Sequence, residues 1–452
     1  IFMITSKKIH FISIGGSVMH SLAVNLKLNG NIITGSDDKI YDPSKSILKK
    51  YNLYPKSLGY NKKNISNKLN FVIVGMHTKK NNVELLEAKK LKLKIISFPE
   101  FIREFSQNKQ RVVIAGSHGK STITSMIMHV LKFANKDFDY VIGAKVNGFE
   151  FNIKLSNAPI IVIEGDEYLS SPLDKKPKFL NYDHHIVLIN GMAWDHANVF
   201  PTLDIYLNQF KKLFNNTRKG GTIIYYKGVE NIDKILINPE EGKSIINYNI
   251  HKNSIKNGKT FLLTNNKKIP IKIFGDHNMQ NISGALTVLK ELGITENVFY
   301  KSIINYKTPK IRLEILKNLK NRLVFRDFAH SPSKVLSTVK AVKKQFKNKL
   351  SCVLELHTLS SLNDKFLKNY KNTLNDSDKA ILYFSNKKIV DKFSEKKMRK
   401  VFNNDKLICC NTVDNLQKFL KLIFIEKNNI LLMSSGNFDN LEINKFFNFV
   451  EN

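Results

Sequence analysis

The 452-residue sequence contains few cysteines and no long apolar segment. Its three cysteines, Cys352, Cys409 and Cys410, show no metal-ligand spacing and are too few for a disulfide framework, which suits a reducing compartment. No apolar run reaches the roughly 18 residues that a membrane-spanning helix needs. The first residues, IFMITSKK, become polar too early for a secretory signal. We therefore expect a cytoplasmic protein without membrane insertion.

Acidic residues are also scarce, since 38 Asp and Glu stand against 72 Lys and Arg and give a net charge of +34. Such a charge is typical of nucleic-acid-binding proteins, so a basic nucleic-acid-binding P-loop ATPase is kept as a remote alternative. However, Lys, Asn and Ile are abundant along the whole chain, and no basic stripe is interleaved with aromatic residues. We attribute the charge to a compositional bias and expect no nucleic-acid partner.

The pattern of apolar segments divides the chain into three α/β blocks, residues 1–107, 108–306 and 307–452. In each block, short apolar strands alternate with helical stretches, which predicts Rossmann-like parallel sheets with helical crossovers. The polar stretch 106–110 and the region around Pro309 are the predicted linkers. Strands are predicted at Ile9–Ile14, Ile32–Thr34, Phe71–Val74, Leu93–Phe98, Val112–Ala115, Ile160–Ile163, His185–Asn190, Leu323–Phe325, Ser351–Leu356, Ala380–Tyr383 and Asn429–Met433.

A glycine loop between strand Val112–Ala115 and the following helix is the strongest single motif. Backbone N–H groups of such a loop point at phosphate oxygens, and glycines allow the close approach. In this pattern Lys120 places a charge on the β- and γ-phosphates, and Ser121 offers a hydroxyl to Mg²⁺. The predicted ATP-binding loop consists of Gly116, Ser117, His118, Gly119, Lys120, Ser121 and Thr122.

Acidic and histidine side chains follow two further buried strands of the central block. Glu164-Gly165-Asp166-Glu167 ends one of them, and Asp195-His196 follows the other. Ligands bind at the carboxyl ends of parallel strands, and carboxylate with imidazole suits a divalent metal. Beside a phosphate loop, we predict that Glu164 and His196 are functional and that Ser121, Glu164 and His196 bind metal.

These motifs, in this order, resemble those of the Mur ligase family over nearly the whole chain. The similar segments include the loop at 116–122, Glu164–Glu167 and Asp195-His196. Further along, His277-Asn278 with Asn281 resembles the family's adenine-contacting helix start. Arg312-Leu313-Glu314 and Asp327–Pro332 resemble its linker and its Asp-x-Ala-His-x-Pro element.

The resemblance implies three domains and an ATP-dependent reaction. Residues 1–107 bind the UDP-linked muramic acid, residues 108–306 bind ATP, and residues 307–452 bind the amine and close the site. ATP phosphorylates the muramyl carboxylate, an amine attacks the acyl phosphate, and ADP and phosphate are released. The cofactors are ATP and Mg²⁺, and we expect a monomer or a weak dimer. The implied ATP contacts outside the loop are His277, Asn278, Asn281, Arg312 and Asp327.

The N-terminal block supplies most of the implied contacts to the UDP-sugar. Gly15, Gly16, Ser36, Asp37, His77 and His330 are the predicted substrate-binding residues. Two family reactions fit. The leading expectation is attachment of the tripeptide L-Ala-γ-D-Glu-meso-diaminopimelate to UDP-N-acetylmuramate, because Glu167-Tyr168 and Leu173–Tyr182 resemble the recycling ligases. Addition of L-alanine is the alternative.

The sequence departs from the family pattern at several positions. Ser13 stands where the first loop glycine is usual, Ile311 replaces a basic linker residue, and Ser331 replaces a histidine. His357 stands where an arginine often lies, and the exchange removes a bidentate clamp for a carboxylate. We therefore also consider a chain that has lost activity and serves as a binding protein.

Overall fold

The computed structural model describes residues 6–171, 173–236, 242–319, 322–358, 360–385 and 393–451. The chain divides into two compact units, neither of which is continuous in sequence. The first contains Ile1–Met192, Leu207–Tyr248 and Gly284–Phe299, and the second contains Ala193–Tyr206, Asn249–Ser283 and Tyr300–Asn452. Within the described ranges, no helix combines the length and the apolar character that crossing a lipid bilayer demands.

The first unit begins with a four-stranded parallel sheet in the order β2-β1-β3-β4. Its central strand pairs on both sides, with Ile9 opposite Ile33 and Phe71. The strands are β1 (Lys8–Ile12), β2 (Ile32–Ser36), β3 (Phe71–Val74) and β4 (Ile95–Ser97). The helices are α1 (Ser17–Leu28), α2 (Ser44–Lys50), α3 (Val83–Lys90) and α4 (Phe98–Phe105), with a 3₁₀ turn at Lys62–Asn64.

A seven-stranded sheet forms the rest of the first unit, in the order β11-β10-β9-β5-β8-β6-β7. The pairing of β7 with β6 is antiparallel, and the other described pairings are parallel. The strands are β5 (Gln110–Ala115), β6 (Phe138–Val141), β7 (Ile153–Lys154), β8 (Ile160–Glu164), β9 (Ile186–Ile189), β10 (Thr222–Tyr226) and β11 (Ser244–Tyr248). Helix α5 spans Lys120–Phe133, α6 spans Leu203–Asn215, and a 3₁₀ turn lies at Lys178–Asn181.

The three middle strands of this sheet are buried on both faces. Val112, Val113 and Ile114 of β5 are inaccessible to solvent, and so are the apolar residues at the centres of β8 and β9. Continuous apolar strands are typical of parallel sheets that are covered on both sides. The carboxyl ends of β5, β8 and β9 are therefore fixed side by side.

The second unit contains a small antiparallel sheet of β12 (Asn253–Lys256), β13 (Lys259–Leu263) and β14 (Lys268–Ile271). Asn257 and Gly258 connect β12 to β13, both with positive φ (51° and 71°), as a type I′ turn requires. The sequence predicts only parallel sheets, so this antiparallel sheet in the second unit is an addition to the predicted fold. Helices α7 (Asp276–Glu291) and α8 (Glu296–Ile303) contain residues of both units.

A six-stranded sheet in the order β15-β16-β20-β17-β18-β19 forms the centre of the second unit, with β15 antiparallel. Its strands have one apolar cluster on each face, since Leu354 belongs to one cluster and its neighbour Val353 to the other. The strands are β15 (Glu314–Leu319), β16 (Arg322–Asp327), β17 (Leu350–Glu355), β18 (Lys379–Tyr383), β19 (Ile408–Cys410) and β20 (Asn429–Met433). The helices are α9 (Pro332–Gln345), α10 (Asp364–Leu367), α11 (Glu395–Phe402), α12 (Val413–Ile425) and α13 (Ile443–Glu451), with a 3₁₀ turn at Lys368–Tyr370.

The predicted α/β class and the parallel sheets are confirmed. Predicted strands Phe71–Val74 and Asn429–Met433 match the structure at both ends, and the others differ by one or two residues. The functional division at residues 107/108 and 306/307 stays a prediction.

Candidate functional site

The glycine loop lies at the carboxyl end of β5 and leads into α5, as predicted. Gly116 has φ of 118°, and a Cβ there would lie 2.9 Å from the backbone nitrogen of Asn190. Gly119 precedes α5 with φ of 70°. The backbone of Ser117 donates a hydrogen bond to the carbonyl of Gly191 (2.9 Å). Because this packing leaves no room for a side chain at 116, the loop conformation depends on glycine.

Lys120 is held at the start of α5 by two partners. Its Nζ donates to the carbonyl of Gly116 (2.9 Å) and lies 2.5 Å from Oε2 of Glu167. Burial alone would lower the pKa of Lys120, but Glu167, Asp166 and Glu164 outweigh burial and raise it. The ammonium group is therefore a permanent positive charge beside the loop, as binding of phosphate requires.

Ser121 and Glu164 are brought together, as the sequence predicts. The hydroxyl of Ser121 donates to Oε1 of Glu164 (2.7 Å), and the backbone N–H of Gly143 donates to Oε2 (2.8 Å). A hydroxyl and a carboxylate are hard oxygen ligands, and both lie next to the phosphate loop. This pair of oxygen donors therefore fits Mg²⁺.

Glu167 is a site residue that the predictions omitted, although it belongs to the acidic segment that follows β8. Its side chain is 1% exposed and pairs with Lys120. The neighbouring Asp166 pairs with Lys178 at 2.6 Å, and its carbonyl accepts the backbone N–H of Phe179 (3.1 Å). The stretch around Lys178 is thus folded back onto the acidic segment. Spacing in the sequence could not show the contact of Asp166 with Lys178, because the two residues meet only when the loop between them folds back.

The other predicted residues of the ATP loop take part in the same packing. The hydroxyl of Ser117 lies 2.6 Å from Nδ1 of His118, and Thr122 is buried in α5. The side-chain amide of Asn190 donates to the carbonyl of His118 (3.2 Å). The loop is thus fixed to the end of β9 by backbone and side-chain contacts.

The predicted substrate loop lies at the carboxyl ends of β1 and β2. The backbone N–H of Gly15 donates to Oδ2 of Asp37 (2.8 Å), and Gly16 directly precedes α1. Burial outweighs this hydrogen bond and raises the pKa of Asp37. Ser13 has a left-handed conformation (φ 68°), so a glycine-like backbone is kept without glycine. Its hydroxyl contacts Tyr60 (2.9 Å) and Thr78 (3.0 Å).

The hydroxyl of Ser36 points inward, which differs from its predicted contact with the substrate. It donates to the carboxylate of Glu84, and Ser36 is 1% exposed. Glu84 is fully buried and also accepts hydrogen bonds from the backbone of Asn61 (3.0 Å) and the side chain of Asn64 (2.7 Å). Although burial favours the neutral acid, hydrogen bonds from His10 and Ser36 lower the pKa of Glu84. Ser36 therefore stabilises the substrate loop through its buried hydrogen bond to Glu84.

His77 and the substrate loop follow neighbouring strands of the first sheet. His77 is exposed and lies in the segment after β3. The backbone N–H of Gly75 in this segment donates to the carbonyl of Ile12 (2.9 Å). The imidazole of His77 is therefore open to solvent at the same end of the sheet, and its substrate contact stays a prediction.

His196 belongs to the second unit, in the segment Ala193–Tyr206. It has φ of 55°, and its backbone N–H donates to Oδ1 of Asp195 (2.8 Å). Asp195 is 6% exposed and pairs with Lys334 at 3.1 Å. Burial would raise the pKa of Asp195, but the charges of Lys334, His196 and His330, together with the hydrogen bond from the His196 backbone, outweigh burial and lower it. Asp195 is thus an anion that fixes the turn at His196.

His330 lies close enough to Lys334 and Asp195 for their charges to affect its pKa. Burial is the main cause that lowers the pKa of His330 to about 4, and the charge of Lys334 adds to it. Nδ1 of His330 lies 2.8 Å from the carbonyl of Phe328, and the hydroxyl of Tyr370 donates to the carbonyl of His330. His330 is therefore neutral at physiological pH.

The predicted adenine contacts lie in the first turns of α7. Asn278 and Asn281 are buried, and the Asn278 side chain donates to the carbonyl of Phe274 (2.8 Å). The Asn281 side chain donates to Oδ1 of Asn278 (3.3 Å). Burial lowers the pKa of His277 to about 4. Asn278 and Asn281 are thus hydrogen-bonded to each other at the start of α7, and His277 in the same turn is neutral.

Asp327 supports the linker that carries Arg312. Its two oxygens accept backbone N–H groups of Leu313 and Ala329, each at 2.6 Å. The guanidinium of Arg312 lies 4.3 Å from the centre of the Phe328 ring. Ile311, one of the departures from the family pattern, has φ of 57°, which is rare for a β-branched residue. The carboxylate of Asp327 therefore binds the backbone of the linker, and its contact with ATP stays a prediction.

Comparison with known proteins places this geometry in a class and then in a family. A phosphate loop with a half-buried lysine beside serine and glutamate oxygens is typical of nucleotide-binding enzymes. The profile of the Mur ligase middle domain matches residues 114–289, and that of the Mur ligase family catalytic domain matches residues 8–110. A UDP-N-acetylmuramate–L-alanine ligase from Persephonella marina is 31% identical over 378 residues, which cover 80% of this chain and 79% of that protein. The chain belongs to the Mur ligase family.

Solved structures share the whole fold at low sequence identity. The murein peptide ligase of Psychrobacter arcticus matches with a TM-score of 0.68 and 21% identity, over 99% of both chains. The UDP-N-acetylmuramate-alanine ligase of Thermotoga maritima matches with a TM-score of 0.73 and 20% identity, over 98% of both chains. Since family members are ATP-dependent ligases that form amide bonds, the predicted enzyme class is confirmed.

Proposed function

We propose that this protein joins L-alanine to the muramyl carboxylate of UDP-N-acetylmuramate and converts ATP to ADP and phosphate. The observation that carries the ligase reaction is the pairing of Lys120 with the acidic segment beside the glycine loop. The choice of L-alanine is supported by the printed names of the curated relatives. It replaces tripeptide ligation, the leading expectation from the sequence, which the relatives' names support less well.

The proposed reaction has two steps. First, an oxygen of the muramyl carboxylate attacks the γ-phosphorus of ATP, the bond to the β-phosphate oxygen breaks, and ADP leaves. Second, the amine nitrogen attacks the carbonyl carbon of the acyl phosphate and forms the amide bond, the nitrogen releases a proton to solvent, and the carbon–oxygen bond breaks as phosphate leaves. Both steps concentrate negative charge on oxygen atoms, so fixed positive charge and positioning supply most of the rate.

The residues of the first unit have separate roles in this proposal. Lys120 stabilises the phosphoryl group that is transferred, and the backbone of the glycine loop binds the phosphate oxygens. Ser121 and Glu164 would hold Mg²⁺, which supplies positive charge at the phosphates. Gly15, Gly16, Asp37 and His77 line the proposed UDP-sugar site, and Ser36 supports it through Glu84.

The residues of the second unit complete the assignment. His277, Asn278, Asn281 and Arg312 are the proposed ATP contacts, while Asp327 holds the linker. His330 stays a proposed substrate residue. The roles of His196 in catalysis and in metal binding stay predictions. The hydrogen bond from the His196 backbone to Asp195 stabilises the turn that carries this histidine in the second unit.

Tripeptide ligation is a second candidate because of one specific segment. Glu167-Tyr168 and Leu173–Tyr182 resemble the recycling ligases. The part of this segment around Lys178 folds against the acidic residues next to Lys120. The folded segment around Lys178 would give a longer amine substrate a surface to contact next to Lys120.

Release of phosphate from ATP tests the proposal. The purified protein is incubated with UDP-N-acetylmuramate and, in separate reactions, with L-alanine, with the tripeptide or with DNA, and the products are identified by mass. We expect turnover with L-alanine at the highest kcat/KM. A higher kcat/KM for the tripeptide would select the second candidate, and release driven by DNA alone would refute the ligase proposal.

A pair of lysine variants tests the loop. Lys120→Ala removes the charge beside the phosphates and should lower kcat by about 100-fold or more. Lys132→Ala changes an exposed lysine of the same helix and serves as the control. Equal activity of the two variants would contradict the assignment of the ATP loop.

A further inference from the structure

The Asp195 carboxylate is one of the groups that hold the turn that carries His196. Oδ1 of Asp195 accepts the backbone N–H of His196, which has a left-handed conformation. The carbonyl of His196 accepts the N–H groups of Val199 (2.8 Å) and Phe200 (2.9 Å). The backbone of His196 is thus hydrogen-bonded through both its N–H and its carbonyl, and the Asp195 carboxylate is the acceptor for the N–H.

The second oxygen of that carboxylate is bound by a residue far along the chain. Nζ of Lys334 lies 3.1 Å from Oδ2 of Asp195, and the two side chains are 23% and 6% exposed. The pair is therefore largely shielded from solvent, where an ion pair is stronger and more directional than at a surface.

Lys334 lies in the first turn of α9, which begins at Pro332. A cation is disfavoured at this end of a helix, because the helix dipole places partial positive charge there. The opposite charge of Asp195 compensates for this unfavourable position. A lysine at this place is explained by the contact with Asp195, and nothing in the helix itself requires it.

Two neutral contacts hold the same turn beside the ion pair. The indole nitrogen of Trp194 donates to the carbonyl of Phe200 (2.9 Å), and its ring packs edge-on against Phe366 with 5.7 Å between centres. Ser360 lies 3.4 Å from the side chain of Asn198. These contacts hold the turn at Trp194, Asn198 and Phe200. Lys334, in contrast, forms an ion pair with Asp195, the residue next to His196.

We propose that Lys334 is a positioning residue that orients Asp195 and, through it, the turn that carries His196, a residue with predicted catalytic and metal-binding roles. This inference rests on the proposed function for its kinetic part. It also makes a structural statement that can be tested without turnover, because Trp194 is the single tryptophan of the chain and adjoins Asp195.

The experiment compares four proteins in full-length form. Lys334→Met removes the charge and keeps the length of the side chain, and Lys334→Arg keeps the charge. Lys340→Met is the matched control, because Lys340 is exposed on the same helix. For each protein we measure Trp194 fluorescence emission and its quenching by iodide, kcat and KM for ATP, and binding of Mn²⁺ as a paramagnetic probe.

We expect Lys334→Met to increase quenching of Trp194 and to lower kcat or Mn²⁺ affinity by about 10- to 100-fold, as loss of a supporting contact behind a functional ligand does. KM for ATP should change little. Lys334→Arg should keep the quenching of Trp194, and the kcat or Mn²⁺ affinity, close to the values of the unmodified protein. If Lys334→Met matches Lys340→Met in fluorescence and in Mn²⁺ binding, the proposal is wrong.

The controls separate this inference from the proposed function. If the unmodified protein shows no turnover with any amine, the proposed function fails, while the fluorescence comparison still tests whether Lys334 orders the turn. Should Lys334→Met fail to fold by circular dichroism, Lys334→Gln provides a polar replacement. Normal fluorescence and normal kcat in that variant would equally overturn the role of Lys334.

Discussion

Acid destabilisation through His184 is the prediction that the structure defines most sharply. His184 is fully buried in the first unit, just before β9. Its Nε2 lies 2.8 Å from the hydroxyl of Thr217, and its Nδ1 has no hydrogen-bond partner among the described residues. Burial, together with the charges of Arg111, His185 and Lys243, lowers the pKa of His184 to about 3.

The sign of the effect follows from the two pKa values. The folded protein keeps His184 neutral, whereas the unfolded chain binds a proton near pH 6.5, the ordinary value. The stabilising contribution is therefore complete above pH 6.5 and is lost as the pH falls towards 3. At pH 5, which is about 1.5 pH units below the pKa of the unfolded state, protonation of His184 favours the unfolded state by about 2 kcal/mol.

The assay compares the unmodified protein with His184→Gln, which keeps a polar group near Thr217 but does not titrate. Hydrogen exchange of the amides in β5 and β9, followed by mass spectrometry, reports the opening free energy of the first unit at pH 7.5, 6.5 and 5.0. The unmodified protein should lose about 2 kcal/mol more than His184→Gln between pH 7.5 and 5.0. His77→Gln, at an exposed histidine, should follow the unmodified protein. Parallel curves for the unmodified protein and His184→Gln would refute the reasoning.

Substitutions at three further positions test other parts of the first unit. Ser13→Ala keeps the left-handed strain and loses both hydroxyl contacts, so it should lower the free energy of unfolding by about 1–2 kcal/mol. Ser13→Gly should cost less in urea unfolding, since relief of strain offsets the lost contacts, and the reverse order would contradict this account. Arg111→Met should raise thermal stability by about 1 kcal/mol or more, because the buried guanidinium has no hydrogen-bond partner among the described residues; a clear loss would show an unseen partner. Glu84→Gln should cost about 2 kcal/mol and raise KM for UDP-N-acetylmuramate, while an unchanged KM would exclude a supporting role for Ser36.

Much of the fold and of the phosphate site could be predicted from local patterns. Apolar strands followed by glycine turns identified β1, β5 and β8, and the order of charged residues after them located Lys120 and Glu164. These features are local, because a strand, its turn and the helix start lie within a few residues. The Asn257-Gly258 turn is an equally local signal, and it indicates an antiparallel hairpin that the alternation of strands and helices does not predict.

Other site residues could not be found in this way. Glu84 lies in an ordinary helical segment, and Lys334 resembles any surface lysine of a basic chain. Their roles depend on contacts with Ser36 and Asp195, which are distant in sequence. Without an alignment or coordinates, such pairings carry no signal in composition or periodicity.

The non-contiguous second unit has a consequence for how the chain reaches its native state. Ala197 and Phe274 are buried in the same apolar cluster as Leu354 and Leu431. During synthesis at about 5–20 residues per second, Ala197 emerges on the order of ten seconds or more before the last partners of that cluster. The early segment therefore cannot complete its apolar cluster until residues such as Leu431 have been synthesised. A fragment starting at residue 307 would lack pieces of its own interior, so we expect it to aggregate when expressed alone.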